Sequence, residues 1–265
     1  MEKTETPSTK MNELSYDNSE SKQESHYNDI AKEYADHYAD VTAKNYRDLF
    51  IYNRMFGGIQ LENMDVLDAM CGMGTTSQYL VNKKAKVTGI DISEELLKIS
   101  KKNVPAAQYV KGSVLDMPFE NEQFDIVSIV GGLHHLHPKM NEGINEILRV
   151  LKPNGLLICM EPPKESFLDR LRQAWYKMDD YFEDNEESIN LTEIQNEFSN
   201  SLDVAYRYYG GGPAYFLICN SLITRVPLWF KKVIAQPLFL IDRFVEFFIT
   251  PKTSAYVVFR LKKKP

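Results

Sequence analysis

The chain has 265 residues, 43% of them hydrophobic and 26% charged, the balance of a folded globular protein, which excludes wholesale disorder and fibrous repeats. Its 37 acids against 31 Lys and Arg leave a formal charge of −6, a poor match to a nucleic-acid partner, which calls for a basic face. Three cysteines, Cys71, Cys159 and Cys219, are too few and too scattered for a disulfide framework or a zinc cluster.

Residues 1–25 are almost devoid of apolar side chains and read as a disordered tail with no leader-like apolar run. From Tyr27 the spacing of Ile30, Ala31, Tyr34, Ala35 and Tyr38 marks one face of a short helix. A second helical stretch runs from about Ala43 to Phe56 and stops at Gly57-Gly58. Short β-rich runs then alternate with helical patterns. Strands are expected at Asp65–Met70, Ala85–Asp91, Ala107–Val110, Phe124–Val130 and Gly155–Met160. Between them lie helices at Thr75–Asn82, Ser93–Asn103 (Ser93 as N-cap) and Asn141–Leu151. Such βαβ units imply an α/β fold with a parallel sheet covered on both faces.

After Glu161 the rhythm is lost. An acidic stretch from Asp179 to Asp203 reads as a solvated surface or the rim of a site for a cationic acceptor. Two further strands, Ser201–Tyr209 and Ser254–Leu261, bracket a Gly-Gly-Gly-Pro turn and a long apolar segment in which Pro237 opens a second helix. Charges at Lys231, Lys232, Asp242, Arg243 and Glu246 make that segment unfit to span a bilayer, and a cytoplasmic protein is expected. The domain plan is a tail (1–25), an N-terminal helical lid (26–60), an α/β core (61–209), a helical acceptor cap (210–253) and a last strand with a basic tail (254–265).

The most informative stretch is Val66-Leu67-Asp68-Ala69-Met70-Cys71-Gly72-Met73-Gly74-Thr75: a buried strand, an acid, a Gly-x-Gly turn and a helix start. Thr75-Thr76-Ser77 supplies no third glycine, and Asp68 would repel a pyrophosphate while favouring a ligand ammonium group; both argue against a nicotinamide dinucleotide. Asp91, seventeen residues past Gly74, ends the second strand where an acid can accept from both hydroxyls of a ribose. Ser113, Val114 and Leu115 follow the third strand, placed to meet an adenine.

LDAMCGMGT, VTGIDIS, MPF followed by FDIV, and LHHL before LRVLKPNGLL occur in the order and spacing of a known family. Over Tyr27–Glu161 the chain resembles the class I S-adenosylmethionine-dependent methyltransferases, in particular those that include the ubiquinone and menaquinone biosynthesis enzymes. The resemblance implies a Rossmann-like seven-stranded sheet, mainly parallel with an antiparallel last strand. It implies S-adenosyl-L-methionine as cofactor and S-adenosyl-L-homocysteine as product. Carried over by position, Asp68, Met70, Cys71, Gly72 and Gly74 surround the methionine end. Asp91 and Ile92 hold ribose and adenine, Ser113 and Val114 meet the adenine edge, Val130 ends the strand beside them, and Tyr27 and Tyr34 belong to a closing helix. Met70 stands where the family has its first glycine and Ser113 where it has an acid, departures that bear on pocket width and adenine affinity.

The acceptor is expected to be a small molecule methylated at a hydroxyl, such as a natural product, glycan or lipid-linked intermediate, with carbon and nitrogen left open. The alternative is a non-catalytic member of the fold. His134 or His135, after the fourth strand, is the candidate general base; the bland reading is a structural His pair. No metal centre is expected. Glu161-Pro162-Pro163 follows the fifth strand, whereas DNA amino-methyltransferases carry a related Pro-Pro after the fourth, so no nucleic-acid substrate is expected. Tyr34, Tyr38, Tyr208 and Tyr209 are candidate acceptor-site aromatics. The apolar segment from Leu228 to Ile249 reads as a cap on the sheet edge or as a surface for an apolar or lipid-linked acceptor, with Lys231, Lys232 and Lys262–Lys264 as basic neighbours. The sequence leaves the oligomeric state open.

Overall fold

The computed structural model describes residues 21–31, 40–176, 187–220 and 226–265. Tyr34, Ala35, Tyr38 and the acidic residues from Asp179 to Glu186 lie outside the described residues.

Seven strands form one sheet: β1 (Asp65–Ala69), β2 (Lys86–Asp91), β3 (Gln108–Lys111), β4 (Phe124–Val130), β5 (Leu151–Glu161), β6 (Leu202–Gly210) and β7 (Tyr256–Lys263). Their order is β3-β2-β1-β4-β5-β7-β6. The first five pair in parallel, and β7 runs antiparallel to both β5 and β6, the mainly parallel Rossmann-like sheet that the sequence implies. Chain order runs outward from β1 to β3 on one side and from β4 to β5 on the other. A crevice therefore opens between β1 and β4 at the carboxyl ends of the strands, where an open α/β sheet holds ligands.

The period of two along each strand distributes side chains to two cores. Leu67, Val127, Ile129, Val257 and Phe259 face one, which the helices Met140–Val150 and Leu191–Glu197 close with Ile144, Ile147 and Ile194. Val66, Ile126, Ile158, Tyr256 and Val258 face the other, closed by Phe50, Met55, Leu80 and Phe239. Removing each such side chain from water contributes on the order of 1.5–3 kcal/mol.

Four expectations change. The first described helix covers 21–31, so residues 21–25 are helical rather than tail: packing of Tyr27 and Ala31 on Met73 and Leu96 outweighs their polar composition. The stretch before Gly57 is helix Val41–Tyr46, a π-helical Arg47–Tyr52 and helix Asn53–Phe56. Pro237 lies inside a single helix, Leu228–Val245, so the apolar segment holds one long helix rather than two. The strand β5 begins at Leu151 rather than Gly155: the register passes from Phe124↔Leu151 to Ile126↔Leu156, so Lys152–Gly155 loops out of the ladder, with Asn154 at φ 64°.

The segment between β6 and β7 is fastened by buried polar groups. Asp242 accepts from Ala214 N at 2.9 Å and Tyr46 Oη at 3.1 Å, joining the long helix to the turn after β6 and to helix Val41–Tyr46. A Cβ on Gly212 would lie 2.5 Å from Asp242 Oδ1, which explains a glycine there. Lys231, fully buried, approaches the Asp40 carboxylate at 3.7 Å, and Asp40 also caps helix Val41–Tyr46 through Thr42 N and Ala43 N. Among the described residues no helix is long and apolar enough to cross a membrane.

Candidate active site

The turn after β1 is fixed from both sides. Gly72 N donates to Asp91 Oδ2 at 2.8 Å, while Ser100 Oγ donates to Gly72 O at 2.6 Å. Gly72 has φ 52° and a Cβ there would meet nothing within 4 Å, so the backbone offers an open ledge in a conformation that favours glycine. Gly74 does other work: with φ 81° it starts helix Thr75–Asn82, and a Cβ there would lie 2.9 Å from Tyr109 Oη.

Asp91, at the end of β2, also accepts from Ser93 N at 2.9 Å. Burial raises its pKa, and the N–H groups of Ser93 and Gly72 oppose that rise. A carboxylate offers about four acceptor positions, so room remains for ligand hydroxyls.

A cleft lies at the β1/β4 crevice. Of the residues singled out in the sequence, Tyr27, Met70, Gly72, Asp91, Ile92, Ser113, Val114, Val130 and His135 line it. Asp68, Cys71, Gly74 and His134 do not, and Tyr34 is outside the described residues. Asp68 is turned inward, where Ser77 Oγ donates to it at 2.6 Å and burial lifts its pKa to about 7. Cys71 is buried beside Gly89, whose Cβ would lie 2.9 Å from its sulfur. Leu115 packs into the core instead of the cleft. Tyr208 takes the Arg54 guanidinium on its ring at 4.4 Å, and Tyr209 packs on the core. Met70, at φ 56°, reaches across so that a Cβ on Gly132 would lie 2.9 Å from its sulfur. That contact narrows the wall where a glycine would leave it open.

The sequence reading missed Gln23. It lines the cleft, is 7% exposed, and its buried Nε2 has no hydrogen-bond partner. The available signal was the interval of four joining Gln23, Tyr27 and Ala31, masked by the polar composition of that region. Asn28, on the same helix, accepts from Ser93 Oγ at 2.8 Å, and Glu24 pairs with Lys111 at 2.7 Å, fastening the helix over the ends of β2 and β3.

The two histidines part company. His134 Nδ1 shares a 2.7 Å hydrogen bond with Glu161 Oε2. Glu161 is fully buried and also accepts from Gly132 N and Leu133 N at 3.0 and 2.8 Å. Burial lifts Glu161 from an ordinary 4.5 to about 7 and depresses His134 to about 3, so His134 is a neutral structural partner. His135 packs against it with ring centroids 4.1 Å apart and planes tilted by 32°, and lies 3.4 Å from Tyr27 Oη through Nε2. Burial, with His134 beside it, holds the His135 pKa well below 6.5, so the ring is neutral at neutral pH and a weaker base than a free imidazole. Among the described residues no group of three or more His, Cys, Asp or Glu could hold a metal ion.

The donor set fits S-adenosylmethionine: an acid at the end of β2, an open glycine ledge after β1, and a buried amide donor with no partner of its own. Residues 66–155 match the model of a methyltransferase domain. The demethylmenaquinone methyltransferase of Staphylococcus aureus is 37% identical over 106 residues, 38% of this chain and 44% of that protein. The ubiquinone/menaquinone biosynthesis C-methyltransferase of Bartonella quintana is 30% identical over 183 residues, 58% of this chain and 70% of that protein. A solved S-adenosylmethionine-dependent methyltransferase of Thermotoga maritima shares the fold with a TM-score of 0.58 at 16% identity, covering 90% of this chain and 99% of that one. The chain belongs to the class I S-adenosylmethionine-dependent methyltransferases. It spans about half the length of the first curated relatives it matches, 53% and 44%.

Proposed function

We propose that the cleft binds S-adenosylmethionine and that the chain transfers its methyl group to a hydroxyl of a small-molecule acceptor, releasing S-adenosylhomocysteine. The observation that carries this reading is that Asp91, the Gly72 ledge and His135 share one cleft at the carboxyl ends of the strands. When bound, the cofactor supplies an electrophilic sulfonium methyl. The chain's own residues then hold, align and exclude water. Asp91 accepts from ribose hydroxyls, the Gly72 ledge admits the ligand backbone-close, and Val114 and Ile92 give apolar contact to the base. Gln23 donates from the covering helix. His135 takes the acceptor's proton at Nε2, the atom nearest the Tyr27 hydroxyl.

A second reading is methylation at ring carbon. It is favoured by the relatives named for demethylmenaquinone and for C-methylation in ubiquinone/menaquinone biosynthesis. Removing a proton from a ring hydroxyl enriches both its oxygen and the ring carbons ortho and para to it, so the same base serves either outcome.

The deciding experiment is calorimetric titration with S-adenosylmethionine and S-adenosylhomocysteine, with NADH as control. Binding of the first two alone supports the reading, and binding of neither overturns it. Incubation with hydroxylated aromatic acceptors, followed by mass and NMR assignment of the product, separates oxygen from carbon. A His135→Ala variant that keeps cofactor affinity and full turnover would remove His135 as base.

A further inference from the structure

Helix Leu228–Val245 buries Lys231, Ala235, Phe239 and Asp242 on one side. On the other side Trp229, Val233, Leu240 and Phe244 recur at intervals of four, seven and four, one stripe of an α-helix. The stripe continues past the helix end in Phe247 and Phe248. It is openly exposed: Trp229 is 69% and Phe247 85% accessible. Isolated exposed apolar residues are ordinary, but a contiguous aromatic stripe marks an interaction surface.

Charge identifies what meets it. In a chain with a formal charge of −6, the exposed charged residues at 226–254 are Lys232, Arg243 and Lys252, all cationic. Lys232 and Arg243 are eleven residues apart, three turns along the same edge of the stripe. The segment's acids are withdrawn: Asp242 is buried on Tyr46 and Ala214, and Glu246 pairs with Arg54. Beside Lys252 a notch adds Lys164 and Arg170 with one acid, Glu165, while Lys164 also pairs with Glu187. The other basic neighbours expected from the sequence do not contribute. Lys231 is buried on Asp40, and Lys263, the last residue of β7, and Lys264 after it lie at the end of that strand remote from the segment, on Leu151 O and Asp203.

We infer that this stripe is a membrane-docking face. The helix lies flat on an anionic lipid bilayer, its aromatic residues in the acyl boundary and Lys232, Arg243 and Lys252 at the lipid phosphates. A second copy of the chain is the poorer occupant, because a symmetric contact through this face would bring cationic edges together. The segment leaves the sheet at Gly210 and rejoins it at Tyr256, its cross-strand partner, next to the Glu161↔Val257 pair. The docking itself does not depend on the methyl-transfer reading.

The test is flotation of the full chain with vesicles of phosphatidylcholine mixed with phosphatidylglycerol, against pure phosphatidylcholine. Roughly tenfold or stronger binding to the anionic vesicles is expected from three cations near the surface. Trp229→Ser with Phe247→Ser should abolish flotation, and Lys232→Glu with Arg243→Glu should abolish the preference for anionic lipid. Both variants should keep the wild-type thermal transition and heat of S-adenosylhomocysteine binding. Equal binding to both compositions, or none to either, overturns the inference. So does a concentration-dependent dimer in sedimentation velocity that the Trp229 and Phe247 substitutions dissolve.

Discussion

The cleft and the segment between β6 and β7 both start from the carboxyl ends of the strands, yet they are built by opposite means. The cleft is shaped by backbone: Gly72 and Gly131 at positive φ, and N–H groups fixed on Asp91 and Glu161. It keeps polar capacity in reserve, in Asp91 and Gln23. The segment between β6 and β7 is shaped by side chains, with Asp242 and Lys231 buried to fasten a helix whose outer face is apolar. One region orders polar groups for a ligand; the other consumes its polar groups to hold an apolar surface outward. Changes at a fastening group should therefore cost stability, whereas changes at a reserve group should cost ligand affinity alone.

The largest effect is expected at Glu161, which fixes the turn after β4 at the cleft wall. Glu161→Ala strands Gly132 N, Leu133 N and His134, and at about 1–3 kcal/mol for each unpaired buried group it should destabilise the fold by several kcal/mol. Glu161→Gln keeps an acceptor for the two N–H groups and should recover most of that loss in denaturant melts. It should also alter the pH dependence. Burial raises the folded Glu161 pKa from 4.5 to about 7, so between those values the folded state holds a proton that the unfolded state has lost. This contribution is fully present below pH 4.5 and is lost as pH rises through 7. His134, depressed to about 3 from 6.5, acts in the opposite sense between those values. The difference between wild type and Glu161→Gln isolates the carboxyl, and the variant should gain relative stability from pH 5 to 7. A constant difference would show that Glu161 is already ionised in the fold.

Next in size is Asp242→Ala. It leaves Ala214 N and the Tyr46 hydroxyl unpaired and should cost about 2–4 kcal/mol in thermal or urea unfolding. Calorimetric affinity for S-adenosylmethionine should stay within a few-fold of wild type. A large loss of affinity with little loss of stability would reverse the assignment of the two regions.

These contrasts also account for what the sequence revealed. Short β-rich runs between turn residues located all seven strands to within a few residues, because a mainly parallel sheet buried on both faces demands continuous apolar segments. The turn, Asp91 and the Ser93 cap were legible for a similar reason: backbone geometry there restricts residue choice locally. Pairing across long separations was not legible. Glu161 meets His134 only because β4 and β5 are neighbours, and Asp242 meets Tyr46 across 196 residues. The same gap made Asp68 look like a cleft residue, although Ser77 turns it inward. Pro237 suggested a break, but the packing of Ala235 and Phe239 carries the helix through it.

Within the cleft, Asp91→Ala should weaken S-adenosylmethionine binding by roughly 1–3 kcal/mol, through lost hydroxyl acceptors and a loosened Gly72 ledge. Calorimetry reads the affinity, and unchanged binding would move the ribose elsewhere.

The smallest and most discriminating change is at Gln23. Its Nε2 is buried without a partner, so Gln23→Ala removes no hydrogen bond from the described fold, and unfolding should be unaffected or slightly harder. A donor held unpaired beside a cleft becomes useful only when an acceptor arrives. Affinity for S-adenosylmethionine should then fall by about 0.5–1.5 kcal/mol, the net value of one hydrogen bond. Gln23→Glu should do worse than Ala if the group it meets is a carboxylate, and better if it is a cationic amine, so the pair reads which end of the cofactor lies beneath the helix. If neither substitution shifts the affinity, residues 21–31 cover the cleft by packing alone and the reserve of polar capacity reduces to Asp91.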